Sequence, residues 1–384
     1  MINPICMNSN YVQNFKPVFT SQVQNSVAVD DKLQTSAQKE TTNLIMQYLE
    51  NQVINNVSSP YNVSTPIWTY VFDNYENMKV LDAFGNVAQK VEFKKDGDKL
   101  IEEVFVRCVN GSTVNKIIIN DCSKKSMKLI LRNKNGEIIS QENRSYEKID
   151  NDTALSVHNG ILYKISGLST DVVTVEHNGQ KKVIDLAKKI QPTLDTIENK
   201  STQKQISQEQ KEFLINSVKK LSGDIILKFD EEIDQMVMLD TDEYEGFYAN
   251  DNGVRKLKLS SSVKDDMTFI HELGHAINET DQSYLSDNEE FVKTRIAEID
   301  NLHNFCKNKK IIELMRKFTY DDFYQMGYDC YEEAQKVAQD EEFAEIIGFT
   351  NCMDVNWIHS RLPSLLQFMP NSTLMIYKQN QDLF

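Results

Sequence analysis

The sequence predicts an α+β protein in two parts, an antiparallel β-meander followed by a mainly helical domain. Three observations predict it. Short β-rich runs punctuated by Asn-Gly and Asp-Gly fill the first half; helical apolar spacing takes over from about residue 186; and HELGHAINETD begins at position 271 behind Met267, Phe269 and Ile270. At 384 residues the chain is expected to hold about two folded domains, each large enough to bury a core.

Residues 1–40 are rich in Asn, Gln, Ser and Thr with few large apolar side chains. Such a composition cannot repay the entropy of folding, and they read as a disordered tail. Residues 41–65 read as a helical linker. Between 66 and 185 the runs VAQKVEFK, VFVRCV, MKLILRN, TALSV, ILYKI and VVTVEH are separated by Asp96-Gly97, Asn110-Gly111, Asn135-Gly136, Asn159-Gly160 and Asn178-Gly179. These dipeptides supply the positive φ angles of two-residue hairpins, which points to one antiparallel module. The module offers no acidic pair, metal cluster or glycine-rich phosphate loop, so it is expected to serve as a scaffold or to bind a protein partner.

Residues 186–384 form the second domain. In SQEQKEFLINSVKKLSGD, Ser207 reads as an N-cap, Phe213, Leu214, Val218 and Leu221 share a face, and Gly223 reads as a stop. IILKF reads as a short strand and LDTDEYEGFYANDNG as a solvated loop. The alternating VRKLKLSS, 254–261, reads as a strand that pairs with extended substrate, with Arg255, Lys256 and Lys258 as protective edge charges. A helix then starts near Asp265.

Forty-two Lys and Arg against 57 Asp and Glu give a formal charge of −15, which repels phosphate backbones and anionic lipid, so nucleic acid is excluded as a partner. Cys6, Cys108, Cys122, Cys306, Cys330 and Cys352 lie far apart with no C-x-x-C pair and read as free thiols of a reducing compartment. The start, MINPICMNSNYVQNF, has neither a cationic head nor an apolar run, and no stretch reaches the ~18 apolar residues of a membrane span. The expectation is a soluble protein, cytoplasmic or exported by a route that needs no signal peptide.

On a helix, residues four apart project from one face with Cβ atoms about 5–6 Å apart, so His271 and His275 can converge on one cation. Glu272 sits about 100° further round the axis, placed to face a water on the metal and act as general base. Leu273, Gly274, Ala276 and Ile277 are small or apolar, as in a buried helix, where unpaired imidazoles would be costly. A catalytic zinc takes a third protein ligand. His303 and His359 read as surface or cap residues, and glutamates are the better pool. Glu298 in TRIAEID has a workable spacing but charged surroundings; in QDEEFAEIIGF, Glu341 and Glu345 lie one turn apart among Phe343, Ala344, Ile346 and Ile347. Carboxylates so embedded need a cation or a hydrogen-bonded partner.

HELGHA followed by E-x-F-A-E resembles the zincin metalloproteases of the anthrax lethal factor and clostridial Pro-Pro endopeptidase group, over about 186–384. The resemblance implies a zincin-like peptidase domain with Zn²⁺ on His271, His275 and Glu341, Glu345 as a supporting carboxylate, and Glu342 in place of Glu341 should the register shift by one. Three departures stand out. The interval from His275 to Glu341 is longer than in those relatives, and Ala334 occupies the place of their transition-state tyrosine, leaving Tyr331, with Tyr328 as alternative, for the oxyanion. Asn278 replaces a common aspartate and is expected to accept a proton from a ligand imidazole. The expected activity is zinc-dependent hydrolysis of peptide or protein substrates with Glu272 as base; the alternative is an inactive zinc-binding protein whose β module binds a partner.

Overall fold

The computed structural model describes residues 61–354, apart from 65–68, 74–76, 109–110, 196–203, 241–244, 264, 280–283, 290, 294–295, 297–303 and 305–330; at 61–64, 69–70, 72–73, 78, 331–335 and 338 only the backbone is described. The expected tail, most of the expected linker, Glu298, His303, Tyr328, His359 and the side chain of Tyr331 lie outside the described residues.

Twelve strands form one sheet: β1 (Tyr61–Ser64), β2 (Thr69–Asp73), β3 (Asn77–Leu81), β4 (Val87–Asp96), β5 (Lys99–Arg107) and β6 (Thr113–Asp121) are followed by β7 (Lys124–Arg132), β8 (Ile138–Lys148), β9 (Thr153–His158), β10 (Ile161–Ser166), β11 (Val172–His177) and β12 (Gln180–Asp185). Each pairs antiparallel with the next in chain order. The turn chemistry explains the register. Asn159 and Gly160, and Asn178 and Gly179, all take positive φ, closing two-residue hairpins at His158↔Ile161 and His177↔Gln180. Cys122 takes the same conformation, φ 45°, between β6 and β7, a turn that carries no glycine signal. β1 falls within the stretch read as helical linker.

Beyond Asp185 come α1 (Leu186–Lys189), α2 (Gln208–Lys219), α3 (Gly223–Glu232), β13 (Gln235–Leu239), β14 (Gly246–Asp251), β15 (Val254–Ser260), α4 (Asp266–Asn278) and α5 (Tyr331–Asn351). The expectation of a mainly helical, zincin-like second half is overturned: the molecule is dominated by antiparallel sheet, and β13, β14 and β15 add a second, three-stranded sheet beside few helices. QMVML escaped notice because β13 is buried at four of its five positions and pairs in parallel with β15, so it lacks the alternation of a half-buried strand. IILKF is likewise corrected from strand to helix. It lies in α3, where Ile225, Ile226 and Phe229 fall on the buried side, and an apolar run that short fits either period. Gly223 opens α3 instead of stopping α2: a Cβ there would stand 2.5 Å from the Tyr163 Cβ, and its amide donates to Ser156 Oγ at 2.8 Å. That contact seats α3 on β9 and β10.

One continuous core runs from Val91 in β4 through Ile165, Val173, Phe229, Leu257 and Leu273 to Cys352. The second half therefore packs on the sheet through shared apolar side chains. Among the described residues Cys108, Cys122 and Cys352 are free thiols, and no helix is long and apolar enough to cross a membrane.

Candidate metal centre

α4 starts at Asp265, whose side chain accepts from the Thr268 amide at 3.2 Å, and every residue from Asp266 to Asn278 is buried. Such a helix is packed all round. Against α5 the fit depends on missing side chains. A Cβ on Gly274 would meet the Ala344 Cα at 2.8 Å and its carbonyl oxygen at 3.2 Å, and one on Gly348 would meet Met267 Cε at 2.6 Å. Gly274, Ala344 and Gly348 let the two backbones approach, and the approach carries Glu341 to the histidines.

The donor atoms form a small triangle. His271 Nε2 and His275 Nε2 are 3.2 Å apart, and Glu341 Oε2 lies 3.3 Å from the first and 3.7 Å from the second. Donors on a tetrahedral zinc at about 2.0–2.1 Å stand about 3.3–3.4 Å from one another. The spacing fits one face of such a site. Glu272 is close too: its Oε2 is 4.0 Å from His275 Nε2, and donor atoms of His271, Glu272 and His275 fall within 4.8 Å of one another. Glu341 approaches both imidazoles more closely than that, and Glu272 lies beside them.

Around the donors runs a ring of supporting groups. His275 Nδ1 donates to Asp340 Oδ2 at 2.8 Å, and His271 Nδ1 is 3.4 Å from Glu345 Oε1. Asn278 does not accept from an imidazole as expected. Its amide nitrogen donates to Asp340 Oδ1 at 2.6 Å and to Ser286 Oγ at 2.9 Å, while its oxygen accepts from the Ser286 amide at 2.8 Å. The orienting carboxylate is thus Asp340, with Asn278 holding it. Sequence reasoning missed Asp340, although its place beside Glu341 in QDEEFAE was a usable signal.

Burial opposes a charge on His275, yet the carboxylates of Glu341, Asp340 and Glu272 outweigh it and push its pKa up to about 10. Two imidazoles among Glu272, Asp340, Glu341 and Glu345 leave a local excess of negative charge. A proton or a metal cation can neutralise it.

The strand expected to pair with substrate is corrected. β15 is the middle strand of its sheet, with β13 and β14 bonded to its two sides, so it has no open edge. Its basic residues are paired with acids: Arg255 Nη1 is 2.7 Å from Glu232, Lys256 Nζ 2.9 Å from Asp251, and Lys258 Nζ 2.7 Å from Asp195. β13 is covered by the segment whose Gln191 and Asp195 amides donate to the Met236 and Met238 carbonyls. Among the described residues the open edge of this three-stranded sheet is β14, and it runs beside α4. Thr268 Oγ1 donates to Glu245 at 2.8 Å, Tyr248 and Asn250 donate to Glu279 at 2.5 and 2.8 Å, and a Cβ on Gly246 would come within 3.2 Å of Glu272 Cγ.

Tyr331 opens α5 ten residues before Glu341. That places its backbone about 15 Å along the axis and roughly 80° round it, whereas Ala334 shares the face of Glu341.

No protein-family profile matches the chain, and no characterised protein or solved structure is significantly similar to it.

Proposed function

We propose that the protein is a zinc-dependent endopeptidase with the metal on His271, His275 and Glu341. The observation that carries the reading is the Nε2–Nε2–Oε2 triangle of 3.2, 3.3 and 3.7 Å with a further carboxylate, Glu272, at its side. A purely structural zinc takes four protein ligands and has no use for a spare carboxylate, whereas a catalytic one keeps a position open. The two helical segments that supply these residues are those that resemble the lethal factor and Pro-Pro endopeptidase group.

Zinc bound there supplies Lewis-acid polarisation of a peptide carbonyl and lowers the pKa of water toward neutrality. Glu272 accepts the proton of the attacking water and passes it to the departing amine. Asp340 fixes the tautomer and tilt of His275, and Asn278 fixes Asp340. An extended peptide adds to the open edge of β14, whose backbone runs past Glu272.

One observation favours a second reading, a zinc-holding protein without activity: alanine stands at 334, where the resembled group carries its transition-state tyrosine. Zinc content and cleavage of a mixed peptide library, measured on wild type and Glu272→Gln, separate the two. The peptidase reading expects one zinc in both and a loss of cleavage of at least about a hundredfold in the variant. Zinc without cleavage in the wild type selects the second reading, and full cleavage by Glu272→Gln removes Glu272 from the mechanism.

A further inference from the structure

Two cations buried in the large sheet reach the C-terminal turn of α5. Lys116, on the core face of β6 and 0% exposed, donates from Nζ to the Phe349 carbonyl at 2.5 Å and stands 4.7 Å over the Phe349 ring. Arg144, buried on β8, donates from Nη2 to the side-chain oxygen of Asn351, which donates in turn from Nδ2 to the Ile347 carbonyl at 2.7 Å. Arg144 is held in its own right. Its Nε donates to Glu142 at 2.8 Å and its Nη1 to Asp224, the residue 3.0 Å from His158 Nδ1.

The last carbonyls of a helix lack intrahelical partners and carry the negative end of its dipole, so cations there fix the helix end. Burial pulls the Lys116 pKa down to about 8, which leaves the side chain charged at neutral pH. A desolvated ammonium adds little net stability compared with an apolar side chain of the same shape, so stability alone does not account for it.

Geometry links this end of α5 to the donors. The helix crosses α4 where Gly274 meets Ala344. Ala344 lies about 4.5 Å along the axis from Glu341 and about 7.5 Å from Phe349. Glu341 and Phe349 belong to one continuous helix, so a displacement of its C-terminal turn is passed along it to Glu341, and zinc coordination tolerates only about 0.2 Å in ligand distance.

We propose that Lys116 and Arg144 are positioning residues which, from the sheet, hold the C-terminal turn of α5 so that Glu341 stays in register with His271 and His275. The inference rests on the reading of that triangle as a zinc centre, and it gives the β-meander a part in the site.

The test compares zinc affinity, by competition with a chelator, and melting temperature of the zinc-free protein in wild type, Lys116→Met and Val173→Ala, the last a cavity in β11 of the same core. Lys116→Met is expected to weaken zinc binding about tenfold or more, while Val173→Ala lowers the melting temperature and leaves zinc affinity unchanged. Wild-type affinity in Lys116→Met overturns the proposal. So does an equal loss in Val173→Ala, since the effect would then be one of general stability. Should Lys116→Met fail to fold, Asn351→Ala, which removes the acceptor of Arg144, is read by the same two measurements, and wild-type affinity there overturns the proposal. A wild-type chain that takes up no zinc is a distinct outcome that fails the reading of the centre itself and this inference with it.

Discussion

Asp340 orients one of the paired imidazoles through a single carboxylate. Bonded to His275 Nδ1 at 2.8 Å and to the Asn278 amide at 2.6 Å, it settles which imidazole nitrogen faces the donors. Asp340→Ala is expected to weaken zinc binding by about 10–100-fold with the helices intact, as chelator competition beside circular dichroism would register. His275 adds a pH dependence. Its folded pKa of about 10 lies above the ordinary value of 6.5, so in the metal-free protein the stabilisation it contributes is complete below about 6.5 and lost as pH rises through about 10. At pH 8 the folded site therefore holds a proton that zinc must displace. Zinc titration by calorimetry in buffers of different ionisation enthalpy is expected to find about one proton released at His275, and a count of zero would mean that the imidazole is neutral before metal arrives. At this scale HELGH was legible, because four-residue spacing on a helix is local geometry. The role of Asp340 was not, because it arises across a helix crossing.

The crossing of α4 and α5 is the element on which the site turns. Gly274 has no space for a side chain: its Cβ would fall 2.8 Å from the Ala344 Cα and 3.1 Å from the Ile347 Cβ. Backbone cannot yield as a flexible side chain does, so Gly274→Val is expected to cost about 1–3 kcal/mol of stability and to abolish zinc binding by driving Glu341 off the histidines. Thermal unfolding with and without zinc checks both, and a variant that keeps its zinc-dependent rise in melting temperature would refute the close-packing argument. The sequence already carries the small residues, in HELGH and EFAEIIGF, but nothing in one segment names the other as its partner. β14 teaches the same lesson. GFYAND read as loop and VRKLKLS as the exposed strand, whereas pairing with β13 puts β15 in the middle and leaves β14 at the rim.

At the scale of the whole molecule, one core joins the meander to the second half, and the meander buries charge. Glu102 is 0% exposed, and neither carboxylate oxygen has a hydrogen-bond partner. Burial raises its pKa to about 8, against the opposing pull of Lys116. Since the folded value lies above the ordinary 4.5, its contribution to stability is complete below about 4.5 and lost as pH climbs through about 8. Glu102→Gln keeps the neutral shape and cannot ionise, so the metal-free variant is expected to lose less stability than wild type between pH 5 and pH 8. Melting temperatures at the two pH values test this, and parallel losses would show that Glu102 does not titrate in that window.

The amino-acid sequence by itself determined the hairpin turns, the paired imidazoles and the carboxylate beside them, since positive φ at Asn-Gly and the four-residue helical repeat are properties of neighbouring residues. Only the tertiary structure decided that Glu341 joins the histidines, that Asp340 orients one of them, that β14 is the open edge of the smaller sheet, and that sheet outweighs helix among the described residues. Each of these depends on which distant surfaces pack together, and that is settled by side-chain volume at contacts such as Gly274 against Ala344.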